Sequence, residues 1–248
     1  MPCWLDLAAP DVEGACAFYS AVLGWTWSGA DPGADGYRMG QLDGRIAAGI
    51  GPLQGDQQRA SWTLYLASDD ADQTAATITD RGGKVLLPPA DVGSRGRMLI
   101  ARDPSGGAFG VWEAGDQVGA ELVNEPGGLV WEDLRATDPE TAWTFYADVF
   151  GYQVNPLPMA GPDYVTFHLP GREAPLGGMG GMMGSPEGTP SHWLVYFCVS
   201  DADAAVSAAV ASGGTVVDPA SDSPFGRMAT LADPAGAVFV VMQLPTSA

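Results

Sequence analysis

The sequence predicts an α+β fold in which four βαβββ modules form two tandem domains. Three observations lead to this prediction: a long internal repeat, a strand-then-helix pattern at the start of each half, and an Asp-Pro-x-Gly turn near the end of each half. The chain has 248 residues, enough for one large domain or for two of about 120 residues each.

The repeat aligns residues 3–25 with residues 130–152 without a gap. The identical pairs are Trp4/Trp131, Asp6/Asp133, Leu7/Leu134, Ala9/Ala136, Asp11/Asp138, Glu13/Glu140, Ala15/Ala142, Phe18/Phe145, Tyr19/Tyr146, Val22/Val149 and Gly24/Gly151. Later segments correspond as well, 69–85 with 200–216 and 96–111 with 226–241. We therefore predict a first domain at 1–115, a linker at 116–127 and a second domain at 128–248.

Each half begins with an apolar strand and an amphipathic helix. In the first half the strand covers residues 3–9, Asp11 is placed to cap the helix, and Gly24 is placed to end it. Apolar residues between these two recur at the spacing of one helical face: Ala15, Phe18, Tyr19 and Val22. In the second half Asp138 is the predicted cap, and Pro139 takes the first helical position. Further strands are predicted at 25–27, 37–42, 45–50, 61–67 and 192–199, and tight turns at 103–106 and 233–236.

Charge and composition exclude several classes of protein. The formal charge is −19, and the 11 Lys and Arg residues form no basic cluster, so we expect no nucleic-acid partner. No apolar run reaches the ~20 residues of a membrane helix, and no signal peptide is recognised, so a soluble cytoplasmic protein without a membrane partner is expected. The three cysteines form no CxxC pair, which argues against a disulfide framework or a structural zinc site.

The repeated motifs also indicate a family. They are Trp-x-Asp-Leu-(x)3-Asp, Phe-Tyr-(x)2-Val-(Leu/Phe)-Gly-(Trp/Tyr), a helix followed by Gly-Gly, and Asp-Pro-x-Gly before a strand. Together they resemble the vicinal oxygen chelate superfamily, which includes glyoxalase I, bleomycin-resistance proteins and extradiol dioxygenases. Within it, the chain resembles an actinobacterial tandem-domain subgroup whose members carry hydroxylase or glyoxalase-like labels, several of them similar to proteins of antibiotic gene clusters. The resemblance implies curled mixed sheets whose U-shaped clefts hold a small molecule.

The family's metal ligands have no counterpart at the matching positions of this chain. The resemblance places the first ligand at Trp4 and Trp131, the middle one near Thr63 and Leu194, and the last one at Gly110 and Val240. Tryptophan cannot bind a metal through its indole N–H, and zinc, nickel or iron sites need imidazole and carboxylate ligands. We therefore expect no metal and no cofactor. The alternative is a displaced metal site built from Asp133, His168 and His192.

Alternation along the first strand of each half predicts what the clefts contain. Trp4, Asp6 and Ala8 share one strand face, and Trp131, Asp133 and Arg135 share the matching face. The resemblance implies that these faces line the clefts. The predicted substrate-binding residues are Trp4, Trp131, Arg135, Trp62, Trp193 and Trp112. Packing is the alternative for each tryptophan, and an ion pair with Asp133 is the alternative for Arg135.

The predicted catalytic residues are Asp6, Asp133 and His192, with a structural role as the alternative for the two aspartates. We expect a metal-independent protein that binds a flat apolar small molecule, such as an aromatic polyketide. Either a pathway enzyme with metal-free acid/base chemistry or a sequestering resistance protein fits this expectation. A metal-dependent lyase or dioxygenase with the displaced site is the alternative. A monomer or homodimer is expected, because four modules complete both clefts within one chain.

Overall fold

The structure is a computed structural model that describes residues 1–28, 36–54 and 59–245. The first half contains β1 (Pro2–Ala9), α1 (Val12–Leu23), β2 (Thr26–Trp27), β3 (Arg38–Leu42), β4 (Arg45–Pro52), β5 (Ser61–Ser68), α2 (Ala71–Asp80), β6 (Lys84–Asp91), β7 (Gly96–Arg102) and β8 (Ala108–Ala114). The second half contains β9 (Leu129–Arg135), α3 (Pro139–Phe150), β10 (Gln153–Pro156), a short 3-10 helix (Pro158–Ala160), β11 (Val165–His168), β12 (Gly177–Gly180), β13 (His192–Cys198), α4 (Ala202–Ala211), β14 (Thr215–Ser223), β15 (Gly226–Ala232) and β16 (Val238–Gln243). The predicted βαβββ order therefore recurs four times, which confirms the α+β fold.

The strands form two mixed sheets of the same topology. Their strand orders are β2-β3-β4-β1-β5-β8-β7-β6 and β10-β11-β12-β9-β13-β16-β15-β14. In the first sheet β1 pairs parallel with β4 and β5 pairs parallel with β8, while β3 and β4 are antiparallel. The second sheet repeats this pattern, with parallel pairs β12–β9 and β13–β16. We call β1–β4 with α1 the first module and β9–β12 with α3 the third module.

The helix boundaries follow the predicted capping residues. The Asp11 side chain accepts from the Gly14 N–H at 3.0 Å, and Gly24 ends α1 in a left-handed conformation with φ of 76°. In the third module Asp138 accepts from the Thr141 N–H at 3.1 Å. Each such cap stabilises its helix by about 1 kcal/mol, because it satisfies an amide that the helix leaves unpaired.

The described residues group into two compact units, each of which combines segments from both halves of the sequence. One consists of Met1–Trp4, Leu64–Gly119 and Glu132–Leu194, and the other of Leu5–Thr63, Ala120–Trp131 and Val195–Ala248. The boundaries that we predict at residues 115 and 128 are sequence boundaries, and they stay a prediction. No helix in the described ranges combines the length and the apolar character that a membrane crossing requires.

A buried hydrogen-bond chain explains the Phe-Tyr and Asp-Pro-x-Gly motifs. In the first-named unit Trp193 donates to the Tyr146 hydroxyl at 2.9 Å, and Tyr146 donates to Asp103 Oδ2 at 3.0 Å. The other Asp103 oxygen accepts from the Gly107 N–H at 3.0 Å and so holds the tight turn. The motif tyrosine therefore connects a buried indole to the turn that ends β7.

The second unit contains the same chain from equivalent residues. Trp62 donates to the Tyr19 hydroxyl at 3.0 Å, and Tyr19 donates to Asp233 Oδ2 at 3.3 Å. Asp233 Oδ1 accepts from the Ala237 N–H at 2.9 Å. Burial raises the pKa of the Asp233 carboxyl, while the hydrogen bonds that it accepts oppose the rise.

Candidate functional site

The third module presents a polar strand face that starts on β9. Asp133 lies opposite Gly178 of the neighbouring strand β12, and Arg135 lies opposite Gly180. Trp131 precedes these two residues on the same face of β9, because side chains alternate along a strand. Glycines opposite the two charged residues leave the space above β12 free for a large side chain.

Tyr164 fills that space and joins Asp133. Its hydroxyl donates to Asp133 Oδ1 at 2.5 Å, and Arg135 Nη2 donates to Asp133 Oδ2 at 2.8 Å. A Cβ atom at Gly178 would lie 1.8 Å from the Tyr164 hydroxyl, and one at Gly180 would lie 2.8 Å from its ring. Asp133 and Tyr164 are both buried. The predicted ion pair of Arg135 with Asp133 is thus present, in a phenol–carboxylate–guanidinium cluster.

The first module repeats the phenol–carboxylate pair. The Tyr37 hydroxyl donates to Asp6 Oδ1 in a short hydrogen bond. A Cβ atom at Gly49 would lie 1.7 Å from the Tyr37 hydroxyl, and one at Gly51 would lie 2.9 Å from its ring. Ala8 stands where the third module has Arg135, so the first module lacks the guanidinium at this position.

Tyr37 and Tyr164 are residues that our sequence reasoning missed. Both lie 31 residues after their aspartate, so they share the offset of the long repeat. A second signal is the Gly-x-Gly pattern, Gly49 with Gly51 and Gly178 with Gly180, because two glycines on one strand face make room for a ring. A structural role is the alternative that we give for the two aspartates, and the structure provides each of them with a tyrosine hydroxyl as a donor.

Arg135 also contacts the glycine- and methionine-rich segment that follows β12. Its Nη1 points at the Met183 sulfur in a short contact. Met183 has a φ of 43°, a left-handed backbone conformation that is uncommon outside glycine. Thioether sulfur is a weak hydrogen-bond acceptor, so a ligand oxygen is a better partner for this side of the guanidinium.

The six predicted binding residues fall into different environments. Trp131 is half-buried and Arg135 contributes to the cluster, whereas Trp4 is buried. Trp62 and Trp193 are buried, and their indoles are hydrogen-bonded to the motif tyrosines described above. Trp112 is buried and donates to the Gln117 carbonyl at 2.8 Å. Packing accounts for these last three, and their role in ligand binding stays a prediction.

The residues at the family's metal positions do not fit a metal site. Trp4 and Trp131 occupy the first-ligand positions, and a Cβ atom at Gly110 would lie 2.2 Å from the Tyr65 ring. Val240 is buried and carries no donor atom. Across residues 1–28, 36–54 and 59–245 there is no group of three His, Cys, Asp or Glu side chains arranged to hold a metal.

The displaced metal site is therefore not assembled from its proposed residues. Asp133 is engaged by Tyr164 and Arg135, and His168 Nε2 lies 2.8 Å from the Thr166 hydroxyl. His192 Nδ1 lies 2.9 Å from the Pro190 carbonyl oxygen. Of the predicted catalytic residues, Asp6 and Asp133 thus have phenol partners, and the predicted role of His192 gains no support from its contact with a loop carbonyl.

The third module contains two further buried polar groups. Glu132, which points to the opposite side of β9, is fully buried, and its Oε1 has no hydrogen-bond partner among the described residues. The same holds for the hydroxyl of Tyr152. Burial raises the pKa of the Glu132 carboxyl well above its ordinary value, and the neighbouring Asp133 carboxylate adds to the rise.

Comparison with known families matches both halves of the chain. Residues 4–111 match the model of the Glyoxalase/Bleomycin resistance protein/Dioxygenase superfamily, and residues 130–242 match that of the Glyoxalase-like domain. The protein named "Putative glyoxylase CFP32" in Mycobacterium tuberculosis is 38% identical over 250 residues, which cover 98% of this chain and 94% of the relative. The anthracycline biosynthesis protein DauV of Streptomyces sp. (strain C5) is 37% identical over 258 residues, which cover 98% and 93%.

Solved structures show the same fold at low sequence identity. The Mn(II)-bound glyoxalase from Novosphingobium aromaticivorans superposes with a TM-score of 0.69 at 17% identity, covering 98% of this chain and 81% of its own. The 2,3-dioxygenase LapB from Pseudomonas sp. KL28 gives a TM-score of 0.67 at 16% identity, with coverage of 99% and 93%. With two family matches that together span most of its length, the chain belongs to the glyoxalase/bleomycin resistance protein/dioxygenase superfamily and consists of two tandem glyoxalase-like domains.

Proposed function

We propose that the third module binds a flat aromatic small molecule with oxygen substituents, of the aromatic polyketide class, without a metal ion. The observation that carries this proposal is the cluster of Asp133, Arg135 and Tyr164 on one strand face. Burying a carboxylate and a guanidinium costs free energy even when they are paired. A site in which the pair binds the oxygen atoms of a ligand would explain why it is kept. The anthracycline biosynthesis proteins among the relatives support this class of ligand.

Arg135, Asp133 and Trp131 would contribute to ligand recognition in different ways. The outer side of the Arg135 guanidinium now faces the Met183 sulfur and would exchange this weak acceptor for a carbonyl or phenolate oxygen. Asp133 holds the guanidinium from the other side at 2.8 Å and so sets its orientation. Trp131, half-buried on the same face of β9, supplies a flat apolar surface for an aromatic ring.

The same cluster fits acid/base catalysis in a metabolite pathway. A ligand hydroxyl gives its proton to the Tyr164 oxygen while Tyr164 gives its own proton to the Asp133 carboxylate. The phenol is restored, the carboxylate becomes an acid, and the ligand becomes an oxyanion beside Arg135. The 2.5 Å hydrogen bond between Tyr164 and Asp133 provides the path for this proton transfer.

Titration with an anthracycline aglycone, followed by quenching of tryptophan fluorescence, tests the binding proposal. The Arg135→Ala variant copies Ala8 of the first module and should bind on the order of 10- to 100-fold more weakly, as expected for loss of a charge-assisted hydrogen bond. Arg97→Ala is the matched control, because Arg97 pairs with Asp72 and Asp91 elsewhere on the protein. Unchanged affinity in Arg135→Ala would refute the assignment of the site.

Two further measurements separate the parts of the proposal. Binding should survive a chelator, and loss of binding together with stoichiometric metal in the purified protein would refute metal independence. Tyr164→Phe should retain affinity within about threefold, because the ring remains and only one neutral hydrogen bond is lost. If the protein is an enzyme, the same variant should lose turnover. A variant with full turnover would exclude the proton transfer through Tyr164.

A further inference from the structure

His168 is a buried polar residue that the cluster described above does not use. It ends β11, only 6% of its surface is exposed, and its Nε2 lies 2.8 Å from the Thr166 hydroxyl oxygen. Its Nδ1 is buried and has no hydrogen-bond partner in the part of the chain that the structure describes. A buried ring nitrogen without a partner costs free energy, and a structural role alone does not explain why it is kept.

The hydrogen bonds of Thr166 indicate which imidazole nitrogen carries the proton. The Thr166 hydroxyl has a single proton, and it donates to the Asn155 carbonyl oxygen at 3.4 Å. With its proton directed there, the same hydroxyl oxygen accepts from His168 Nε2–H, and the proposal depends on this tautomer. A neutral imidazole has one N–H group, so Nδ1 carries a lone pair and is a hydrogen-bond acceptor.

Strand register places His168 on the same face as the Asp133 cluster. Thr166 lies opposite Gly178, and Gly178 lies opposite Asp133 on the next strand, so these positions share one face of the sheet. Alternation along the chain puts Tyr164, Thr166 and His168 on that face together.

The first module shows that the fold does not need this imidazole. The offset of the repeat pairs Thr166 with Met39 and His168 with Gln41. Strand pairing confirms the match, since Thr26 lies opposite Gln41 and Gln153 lies opposite His168. The Thr166–His168 pair is thus specific to the third module, as Arg135 is.

We propose that His168 Nδ1 accepts a hydrogen bond from a hydroxyl group of the ligand, and that the third module is thereby selective for hydroxylated aromatic molecules. This inference rests on the proposed function and adds to it the class of substituent that is recognised. Arg135 donates a hydrogen bond to a ligand oxygen, whereas His168 accepts one from a ligand hydroxyl group. Because Nδ1 is buried, the ligand hydroxyl reaches it only when the side chains that cover it move aside.

The tautomer can be measured in the protein without any ligand. The chain has only two histidines, so long-range ¹H–¹⁵N correlation spectra of histidine-labelled protein contain two imidazoles. The His192→Gln variant removes one of them and assigns the other. We expect His168 to be protonated at Nε2 with a bare Nδ1, and a proton on Nδ1 would overturn the inference whether or not a ligand is found.

Selectivity is tested with a hydroxyanthraquinone, its hydroxyl distant from the ring carbonyls, and with the methyl ether of the same compound. Wild type should bind the hydroxyl compound about tenfold more tightly, as expected for one hydrogen bond that would otherwise be unmade. His168→Gln, which copies the first module and keeps a polar group near Thr166, should lose this preference but keep its affinity for the ether. His192→Gln should behave like wild type.

The outcomes separate this inference from the proposed function. If wild type binds both compounds equally, or if His168→Gln keeps the preference, the role of His168 is refuted while ligand binding stands. If wild type binds neither compound, the proposed function is overturned, and the selectivity inferred for His168 is overturned with it.

Discussion

The first and third modules share a scaffold but differ in the side chains that surround it. Each places a tyrosine over two glycines and joins it to an aspartate: Tyr37 with Asp6, and Tyr164 with Asp133. Around this shared pair, the third-module residues and their first-module counterparts are Arg135 and Ala8, Thr166 and Met39, His168 and Gln41, Glu132 and Leu5, and Tyr152 and Trp25. Because the first module folds without these polar residues, the fold does not require them. Of the five, Arg135, Thr166 and His168 lie on the face of the shared pair, and the ligand role proposed above concerns this face.

The largest expected effect comes from removing the space for the tyrosine. Gly178→Ala places a Cβ atom 1.8 Å from the Tyr164 hydroxyl, and Gly49→Ala places one 1.7 Å from that of Tyr37. Each should lower the free energy of unfolding by about 3 kcal/mol, as severe overpacking does. Gly181→Ala is the control, because its Cβ would meet its nearest neighbour at 4.0 Å. Urea denaturation measures the difference, and equal stability of Gly178→Ala and Gly181→Ala would disprove the close packing.

Replacing Glu132 by its first-module counterpart should stabilise the protein. Glu132→Leu removes a buried acid with an unpaired oxygen, and the free energy of unfolding should rise by about 1–3 kcal/mol. The reverse change, Leu5→Glu, should destabilise the protein, because Leu5 is fully buried. A loss of stability in Glu132→Leu would show that this acid is paired after all.

The same variant should change the pH dependence of stability. The folded-state pKa of Glu132 is raised above the unfolded value of about 4.3, so the unfolded chain releases this proton first as the pH rises. The contribution of Glu132 is therefore constant below about pH 4 and becomes increasingly destabilising from there up to the folded pKa. The free energies of unfolding of wild type and Glu132→Leu should be measured from about pH 4 to about pH 8. The difference between them should widen as the pH rises. A constant gap would contradict the raised pKa.

Each unit contains a tyrosine that is hydrogen-bonded both to a tryptophan and to the aspartate of a tight turn. Removing its hydroxyl should have a smaller effect on stability. Tyr146→Phe leaves the Trp193 N–H and a buried Asp103 oxygen without this partner and should cost about 1–2 kcal/mol. Tyr19→Phe should cost less, because its bond to Asp233 is longer, at 3.3 Å against 3.0 Å. Chemical denaturation of both variants checks the order. If the free energy of unfolding of both variants equals that of wild type within error, the hydrogen-bond chains do not contribute to stability.

Much of the fold could be predicted because its signals are local or repeated. Asp11 and Asp138 precede amphipathic helices, and Gly24 ends one, so the capping rules place these boundaries correctly. Strand alternation also predicts, from the sequence alone, that Asp133 and Arg135 share one face. These predictions need only neighbouring residues or the match between the two halves.

The contacts that complete the site could not be predicted, because they join residues far apart in sequence. Tyr164 reaches Asp133 across 31 positions and depends on the empty space at Gly178. The Gly-x-Gly pattern signals such a space but does not say which side chain fills it. Trp62 and Trp193 lie near ligand positions of the family, yet their indoles donate to tyrosines 43 and 47 residues away. The positions of the family's metal ligands therefore identified the correct strand, but they did not predict the surroundings of the side chains on it.

The proposed ligand site lies in the third module, and the first module, which has Ala8 in place of Arg135, should not bind the ligand. Isothermal titration calorimetry of the wild-type protein with an anthracycline aglycone measures the number of sites directly. We expect one ligand per chain, with binding weakened in Arg135→Ala and unchanged in Arg97→Ala. Two equivalent ligands per chain, or one that Arg135→Ala binds as tightly as wild type does, would contradict it.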